Sequence, residues 1–141
     1  MAPPRAAPVR VPLILVVDDT PSLLDLVRTC LEEEGYRVVT CLRSRDALRL
    51  AHEERPDAIL LDLVMPEMSG WEVLEHLRAD TAFVRTPVIV CTAYVAEALG
   101  RLPDLRGPTG DARIGLLPKP FDTEELVEVV AAATGTTWAS Q

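Results

Sequence analysis

The sequence predicts an α/β fold in which helices cover both faces of a five-stranded parallel sheet. Two observations lead to this prediction. Short runs of consecutive apolar, β-prone residues alternate along the chain with segments whose apolar residues recur at helical spacing. Uninterrupted apolar runs are typical of strands buried on both faces, and strands that alternate with helices are typical of parallel sheets. With 141 residues, the chain has the length of one ordinary domain.

The first run, Leu13–Val17, predicts a strand. Pro21 then suits the first turn of a helix, which Asp19 or Thr20 can cap, and Gly35 ends that helix. Residues 37–41 predict the second strand. Ser44 begins the second helix, which must stop before Pro56, because the residue before a proline disfavours helical geometry.

The third strand, Ala58–Asp62, runs directly into a carboxylate. Ser69 and Glu72 have the spacing of a capping box and predict a third helix that continues to about residue 78. Residues 87–91 predict the fourth strand.

The segment after the fourth strand is rich in glycine and proline, which leaves room for only a short helix over 95–102, followed by a loop that we expect to be mobile. Residues 114–117 predict the fifth strand. Asp122 and Glu125 then form a second capping box for the last helix. Its inward-facing residues are Leu126, Val129, Val130 and Ala133.

Composition excludes several classes of protein. The net charge of −8 argues against direct nucleic-acid binding, which depends on clustered lysine and arginine. No apolar run reaches the roughly 18 residues of a membrane helix. The three cysteines show no metal-binding spacing and are expected to be buried, reduced thiols. We therefore expect a cytoplasmic protein that does not act at a membrane.

The chain is predicted to divide into three parts. Residues 1–11 are rich in proline, lack the apolar segment of a signal peptide and are expected to form a disordered leader. Residues 12–133 form the domain, and residues 134–141 form a tail. An initiating methionine favours a stand-alone domain over an excised one.

Polar residues follow four of the predicted strands, at the ends where open parallel sheets place their ligand sites. They are Asp18 and Asp19, Asp62, Thr92, and Lys119, the chain's single lysine. Three carboxylates brought together repel one another unless a cation compensates, and hard oxygen ligands favour Mg²⁺. A lysine and a hydroxyl at the same edge would bind an anion. The set predicts a phosphoryl-transfer site.

Four segments resemble the receiver domains of two-component signalling across residues 11–133. They are VVDD (16–19), LLDLVMPEMSG (60–70), VIVCTAY (88–94) and LLPKPF (116–121). The resemblance implies a doubly wound, flavodoxin-like sheet of order 2-1-3-4-5. It also implies a response regulator, similar to stand-alone chemotaxis regulators, that receives a phosphoryl group from a histidine kinase or phosphotransfer protein.

The resemblance assigns the metal and phosphoryl chemistry to particular residues. Asp62 would be the phosphoacceptor and a Mg²⁺ ligand. Asp19 would bind the ion directly, Asp18 mainly through water, and Val64 through its backbone carbonyl. Such a protein catalyses only its own phosphorylation and dephosphorylation and is not an enzyme acting on other substrates.

Further residues would shape the site and respond to phosphorylation. Lys119 would pair with the Asp62 carboxylate and then with a phosphoryl oxygen, which Thr92 would also bind, while the small Ala93 leaves the approach open. Pro120 would follow a cis peptide bond that aims the lysine. Pro66 and Gly70 would shape the loop after the acceptor.

Two departures from the family pattern affect output. Leu116 stands where the family usually has an aromatic switch residue, and the 27 positions from Thr92 to Lys119 exceed the usual interval. We therefore expect phosphorylation to order residues 95–113 instead of rotating an aromatic ring. The protein would act on a downstream protein target by direct contact, as a monomer or weak dimer.

Two other functions fit the fold. A pseudo-receiver would serve as a constitutive adaptor, but the intact acidic residues and lysine argue against it. A phosphatase-like enzyme would use Asp62 as a nucleophile on external substrates. Such enzymes commonly carry a second acidic residue two positions later, where this chain has Val64.

Overall fold

A computed structural model describes residues 11–105 and 113–135, with the side chains of 102–105 excepted. Its strands and helices alternate as predicted, with one 3₁₀ turn, called η1, before the second helix. In chain order they are β1 (Leu13–Val17), α1 (Pro21–Glu33), β2 (Arg37–Cys41), η1 (Ser44–Asp46), α2 (Ala47–Glu54), β3 (Ala58–Asp62), α3 (Gly70–Ala79), β4 (Val88–Thr92), α4 (Val95–Leu105), β5 (Ile114–Pro118) and α5 (Thr123–Thr134).

The five strands form one parallel sheet in the order β2-β1-β3-β4-β5, which confirms the predicted topology. Every residue of β1, β3 and β4 is buried, whereas β2 and β5 at the edges are partly exposed. One apolar cluster packs α2 and α3 on one face of the sheet, and another packs α1 and α5 on the opposite face. The central strands are apolar except at their carboxyl ends, where Asp62 and Thr92 stand, because both faces of each strand are covered.

The helix starts agree only partly with the predicted caps. Asp122 and Glu125 form both bonds of the predicted capping box. Ser69 Oγ accepts a bond from the Glu72 backbone N–H at 3.3 Å, which is half of the other box. The prediction that Asp19 or Thr20 caps α1 was wrong for the side chain. Thr20 occupies the cap position without a side-chain bond, and Asp18 Oδ1 accepts from the Thr20 N–H at 2.9 Å.

The fourth helix is longer than predicted, because α4 continues to Leu105 instead of ending at residue 102. Pro103 stands in its last turn and cannot donate a backbone hydrogen bond to the carbonyl four residues earlier. The loop expected after it includes residues 106–112, which lie outside the described residues. The expected ordering of 95–113 therefore stays a prediction.

Two predictions from composition can be compared with the structure. Cys30, Cys41 and Cys91 are all buried and free of disulfides, as expected. Among the described residues, no helix is both long enough and apolar enough to cross a membrane.

Candidate functional site

Three carboxylates meet at the carboxyl ends of β1 and β3. Asp18, Asp19 and Asp62 each place a carboxylate oxygen within 4.8 Å of the others. Asp18 and Asp62 are only 3% and 6% exposed, whereas Asp19 faces solvent. β1 and β3 are parallel neighbours in the sheet. Asp18 and Asp62 therefore lie at the same edge of the sheet, although they are 44 positions apart in the sequence. The oxygen-only donor set suits a hard divalent cation such as Mg²⁺.

Lys119 supplies the positive charge of this cluster. Its Nζ lies 2.9 Å from Asp18 Oδ2 and 3.6 Å from Asp62 Oδ1. Lys119 therefore forms the expected ion pair with Asp62, and it also donates a hydrogen bond to Asp18. The two carboxylates are close enough to share one ammonium group. The Lys119–Pro120 peptide bond is cis, as predicted.

The loop of residues 63–69, between β3 and α3, begins directly after Asp62, and hydrogen bonds hold both of its ends. The Val64 N–H donates to Asp62 Oδ1 at 3.2 Å, and the Gly70 N–H donates to the Leu63 carbonyl at 3.0 Å. A Cβ on Gly70 would lie 2.0 Å from the Asp62 carbonyl oxygen. Position 70 therefore requires glycine because the loop closes directly onto the end of β3.

Thr92 ends β4 and is almost fully buried, with 1% exposure. Its Oγ1 accepts a bond from the Tyr94 N–H at 2.9 Å, which leaves the hydroxyl proton available to donate. Ala93 and Tyr94 are exposed beside it. Leu116, at the position of the family's aromatic residue, is half-buried against the core cluster.

The response regulator receiver domain family matches residues 14–131 of the chain. This chain belongs to that family. Protein PilH of Pseudomonas aeruginosa is 33% identical over 119 residues, which cover 84% of this chain and 94% of PilH. The DNA-binding dual master transcriptional regulator RpaA of Synechocystis sp. is 36% identical over 121 residues, 86% of this chain but 48% of RpaA. The chain thus spans about half the length of that relative, and likewise of KdpE from Mycobacterium tuberculosis.

Solved receiver structures share the fold. Chemotaxis protein CheY4 of Vibrio cholerae superimposes with a TM-score of 0.78 at 29% identity, covering 88% of this chain and 99% of CheY4. The receiver domain of sensor histidine kinase PA1611 from Pseudomonas aeruginosa gives 0.73 at 29% identity, covering 89% and 99%, and holds a magnesium ion in its active site cleft. This receiver therefore belongs to two-component phosphorelay signalling, in which receiver domains interact with histidine kinases or phosphotransfer proteins.

In the receiver site, burial and neighbouring negative charge disfavour the ionised form of Asp62. Burial, followed by the charge of Asp18, raises the pKa of Asp62, and the nearby Lys119 offsets part of this increase. Burial alone would lower the pKa of Lys119, but its hydrogen bond to Asp18 and the surrounding negative charge raise that pKa overall. The site therefore favours added positive charge.

The raised pKa of Asp62 predicts how stability depends on pH without Mg²⁺. A carboxyl whose folded pKa is raised is destabilising once ionised, so its cost appears as the pH rises above the unfolded value of about 3.9. With metal removed by chelator, we expect Asp62→Asn to stabilise the receiver at neutral pH by on the order of 1 kcal/mol. The difference should vanish near pH 3. Denaturant midpoints across pH measure it, and equal midpoints at neutral pH would contradict it.

Sequence reasoning missed a turn beside the site. Ser44, which was predicted only to start a helix, is 2% exposed and lies in η1 with Arg45. A cleft of about 340 Å³ is lined by this turn and by the 63–69 loop, and it extends to Asp19. Ser44 Oγ donates a hydrogen bond to the Pro66 carbonyl of this loop. No motif in the sequence indicates this contact, because it depends on how two separate connections of the sheet pack together in the fold.

Proposed function

We propose that Asp62 accepts a phosphoryl group from a histidine kinase or phosphotransfer protein in a Mg²⁺-dependent reaction. The observation that carries this proposal is the cluster itself. The Asp62 carboxylate is buried at a strand end, has two further carboxylates within 4.8 Å and has the Lys119 ammonium at 3.6 Å. A structural ion pair would not need three carboxylates around a single lysine.

The same residues suit a metal ion. Asp18, Asp19 and Asp62 would hold Mg²⁺ together with the backbone carbonyl of Val64, and waters would complete the shell. The ion would supply positive charge against the phosphoryl oxygens during transfer. Burial and the charge of Asp18 raise the pKa of Asp62, and a bound cation would favour its ionised form, so the donors fit the group.

The protein's own residues perform the transfer. A carboxylate oxygen of Asp62 attacks phosphorus, the new O–P bond forms, and the N–P bond of the phosphohistidine breaks with its electron pair returning to the imidazole. Lys119 neutralises charge on the phosphoryl oxygens. Thr92 donates its free hydroxyl proton to one of them. In this proposal the receiver accelerates only its own phosphorylation and dephosphorylation.

Metal dependence tests the proposal. Acetyl phosphate should add one phosphoryl mass in the presence of Mg²⁺ and none after chelation. Asp19→Asn should raise the Mg²⁺ concentration required by about tenfold or more, because it removes one of few protein ligands. Asp25→Asn, an exposed change in α1, is the matched control. Labelling that is independent of Mg²⁺ would contradict the proposed chemistry.

Output follows from the same modification. We propose that the aspartyl phosphate, with a charge of about −2, alters the surface presented to a downstream protein. The chain's net charge of −8 supports recognition of proteins over nucleic acids, and the domain that would present this surface spans residues 12–133. A cytoplasmic location and a monomeric or weakly dimeric state complete the proposal.

A further inference from the structure

The proposed metal site has one ligand that is a backbone atom and not a side-chain atom. The Val64 carbonyl belongs to the backbone of the 63–69 loop, so its position depends on whatever holds that loop. The role that we infer for the neighbouring turn rests on the proposed function, because it concerns how the Mg²⁺ site is held together.

The ends of the loop are fixed by the sheet and by α3. The Val64 N–H donates a hydrogen bond to Asp62 Oδ1, and the Gly70 N–H donates one to the Leu63 carbonyl. The side chains of Leu63 and Met65 are buried, with 3% and 9% exposure. Met68 packs against the core cluster, and Ser69 caps α3. These contacts leave residues 66 and 67 to be held by something else.

The η1 turn makes two contacts with that part of the loop. Ser44 Oγ donates to the Pro66 carbonyl at 3.3 Å, and Ser44 is 2% exposed. A hydroxyl buried away from water needs a protein partner, so this bond has no solvent substitute. The next residue, Arg45, places Nε at 3.5 Å from Glu67 Oε2.

The backbone at Glu67 shows that the loop adopts a restricted shape there. Its φ is +71°, in the left-handed region that a glutamate seldom occupies. Such a conformation persists where surrounding contacts impose it. The Ser44 and Arg45 contacts fall on this residue and the one before it. The cleft between turn and loop extends to Asp19, so loop movement would change the surroundings of the metal ligands.

We propose that Ser44 and Arg45 are positioning residues that hold the 63–69 loop so that the Val64 carbonyl completes the Mg²⁺ site. Neither side chain touches the ion. They affect Mg²⁺ affinity by fixing the position of the Val64 carbonyl oxygen. Because this oxygen belongs to the backbone, no substitution of the Val64 side chain removes it.

Titration with Mg²⁺, followed by Trp71 fluorescence and by amide shifts near Asp19, tests this on the full chain. Ser44→Ala, Arg45→Gln and Glu67→Gln should each raise the Mg²⁺ dissociation constant about two- to fivefold, the size expected of exposed pairs and single hydrogen bonds. The Arg45→Gln, Glu67→Gln double variant should show no further loss, because both changes break one contact. In about 1 M salt the Arg45 effect should disappear, while the Ser44 effect persists.

Arg49→Gln is the matched control. Arg49 also forms exposed pairs, with Glu53 at 3.1 Å and with Asp46 of η1 at 3.8 Å, but its partners do not belong to the 63–69 loop. If the three variants bind Mg²⁺ as Arg49→Gln does, while Asp19→Asn binds it more weakly, this inference is overturned and the proposed function stands. A wild-type chain that binds no Mg²⁺ overturns both. Should Ser44→Ala fail to fold, the two exposed variants, Arg45→Gln and Glu67→Gln, decide.

Discussion

Replacing Asp62 by asparagine is expected to abolish the phosphoryl adduct that the wild-type chain forms with acetyl phosphate or phosphoramidate in Mg²⁺. An amide oxygen is far less nucleophilic than a carboxylate and cannot form a stable acyl phosphate. Asparagine is nearly isosteric with aspartate, so it can keep the packing of this side chain, which is only 6% exposed, and the hydrogen bond from the Val64 N–H. The loss should be of labelling and not of folding.

Intact-protein mass spectrometry measures this result. The wild-type adduct should be one phosphoryl group per chain and should be removed by hydroxylamine, as an acyl phosphate is. The exposed Asp25→Asn variant should label like the wild type, which separates loss of the acceptor from loss of one negative charge. Equal labelling of Asp62→Asn and wild type would place the acceptor elsewhere and remove the proposed role of Asp62.

Adding a single methyl group at Gly70 should destabilise the protein severely. The new Cβ would lie 2.0 Å from the Asp62 carbonyl oxygen and 2.6 Å from Leu63 Cα. Both are backbone atoms, so no side-chain rotation relieves the overlap, and the loop must separate from the end of β3. We expect Gly70→Ala to lower the free energy of unfolding by about 3 kcal/mol or more.

Gly100→Ala is the matched control for that substitution. Gly100 lies within α4, and its added Cβ would meet nothing within 4 Å. Alanine there should stabilise the protein by about 0.5–1 kcal/mol, because glycine costs more conformational entropy in a helix. Urea unfolding of both variants gives the comparison. A Gly70→Ala protein as stable as the wild type would show that the loop does not close tightly on β3.

Together, Asp62→Asn and Gly70→Ala test the chemistry and the architecture of the same site separately. Asp62→Asn should retain the fold and lose labelling, whereas Gly70→Ala should lose stability. Where Gly70→Ala still folds, its displaced loop should weaken Mg²⁺-dependent labelling, since the loop carries the Val64 carbonyl proposed as a ligand.

Much of the architecture could be predicted from local sequence. The uninterrupted apolar runs of β1, β3 and β4 are typical of strands that are buried on both faces. In the helices, by contrast, the apolar residues recur at helical spacing. The Asp122–Glu125 capping box fixed the start of α5 within one turn. The convergence of Asp18, Asp19 and Asp62 followed from strand direction alone, because parallel strands end at one edge.

Other features depended on distances that no local pattern contains. The Lys119 Nζ lies closer to Asp18, 101 positions away, than to Asp62. Which carboxylate accepts the hydrogen bond depends on differences of about an ångström in the positions of the strands. Ser44 and Arg45 look like an ordinary helix start until the fold brings Pro66 and Glu67 beside them. The sequence by itself determined the fold and the set of chemical groups at the strand ends. Only the tertiary structure decided which groups touch, since hydrogen bonds and ion pairs depend on separations much finer than a sequence pattern specifies.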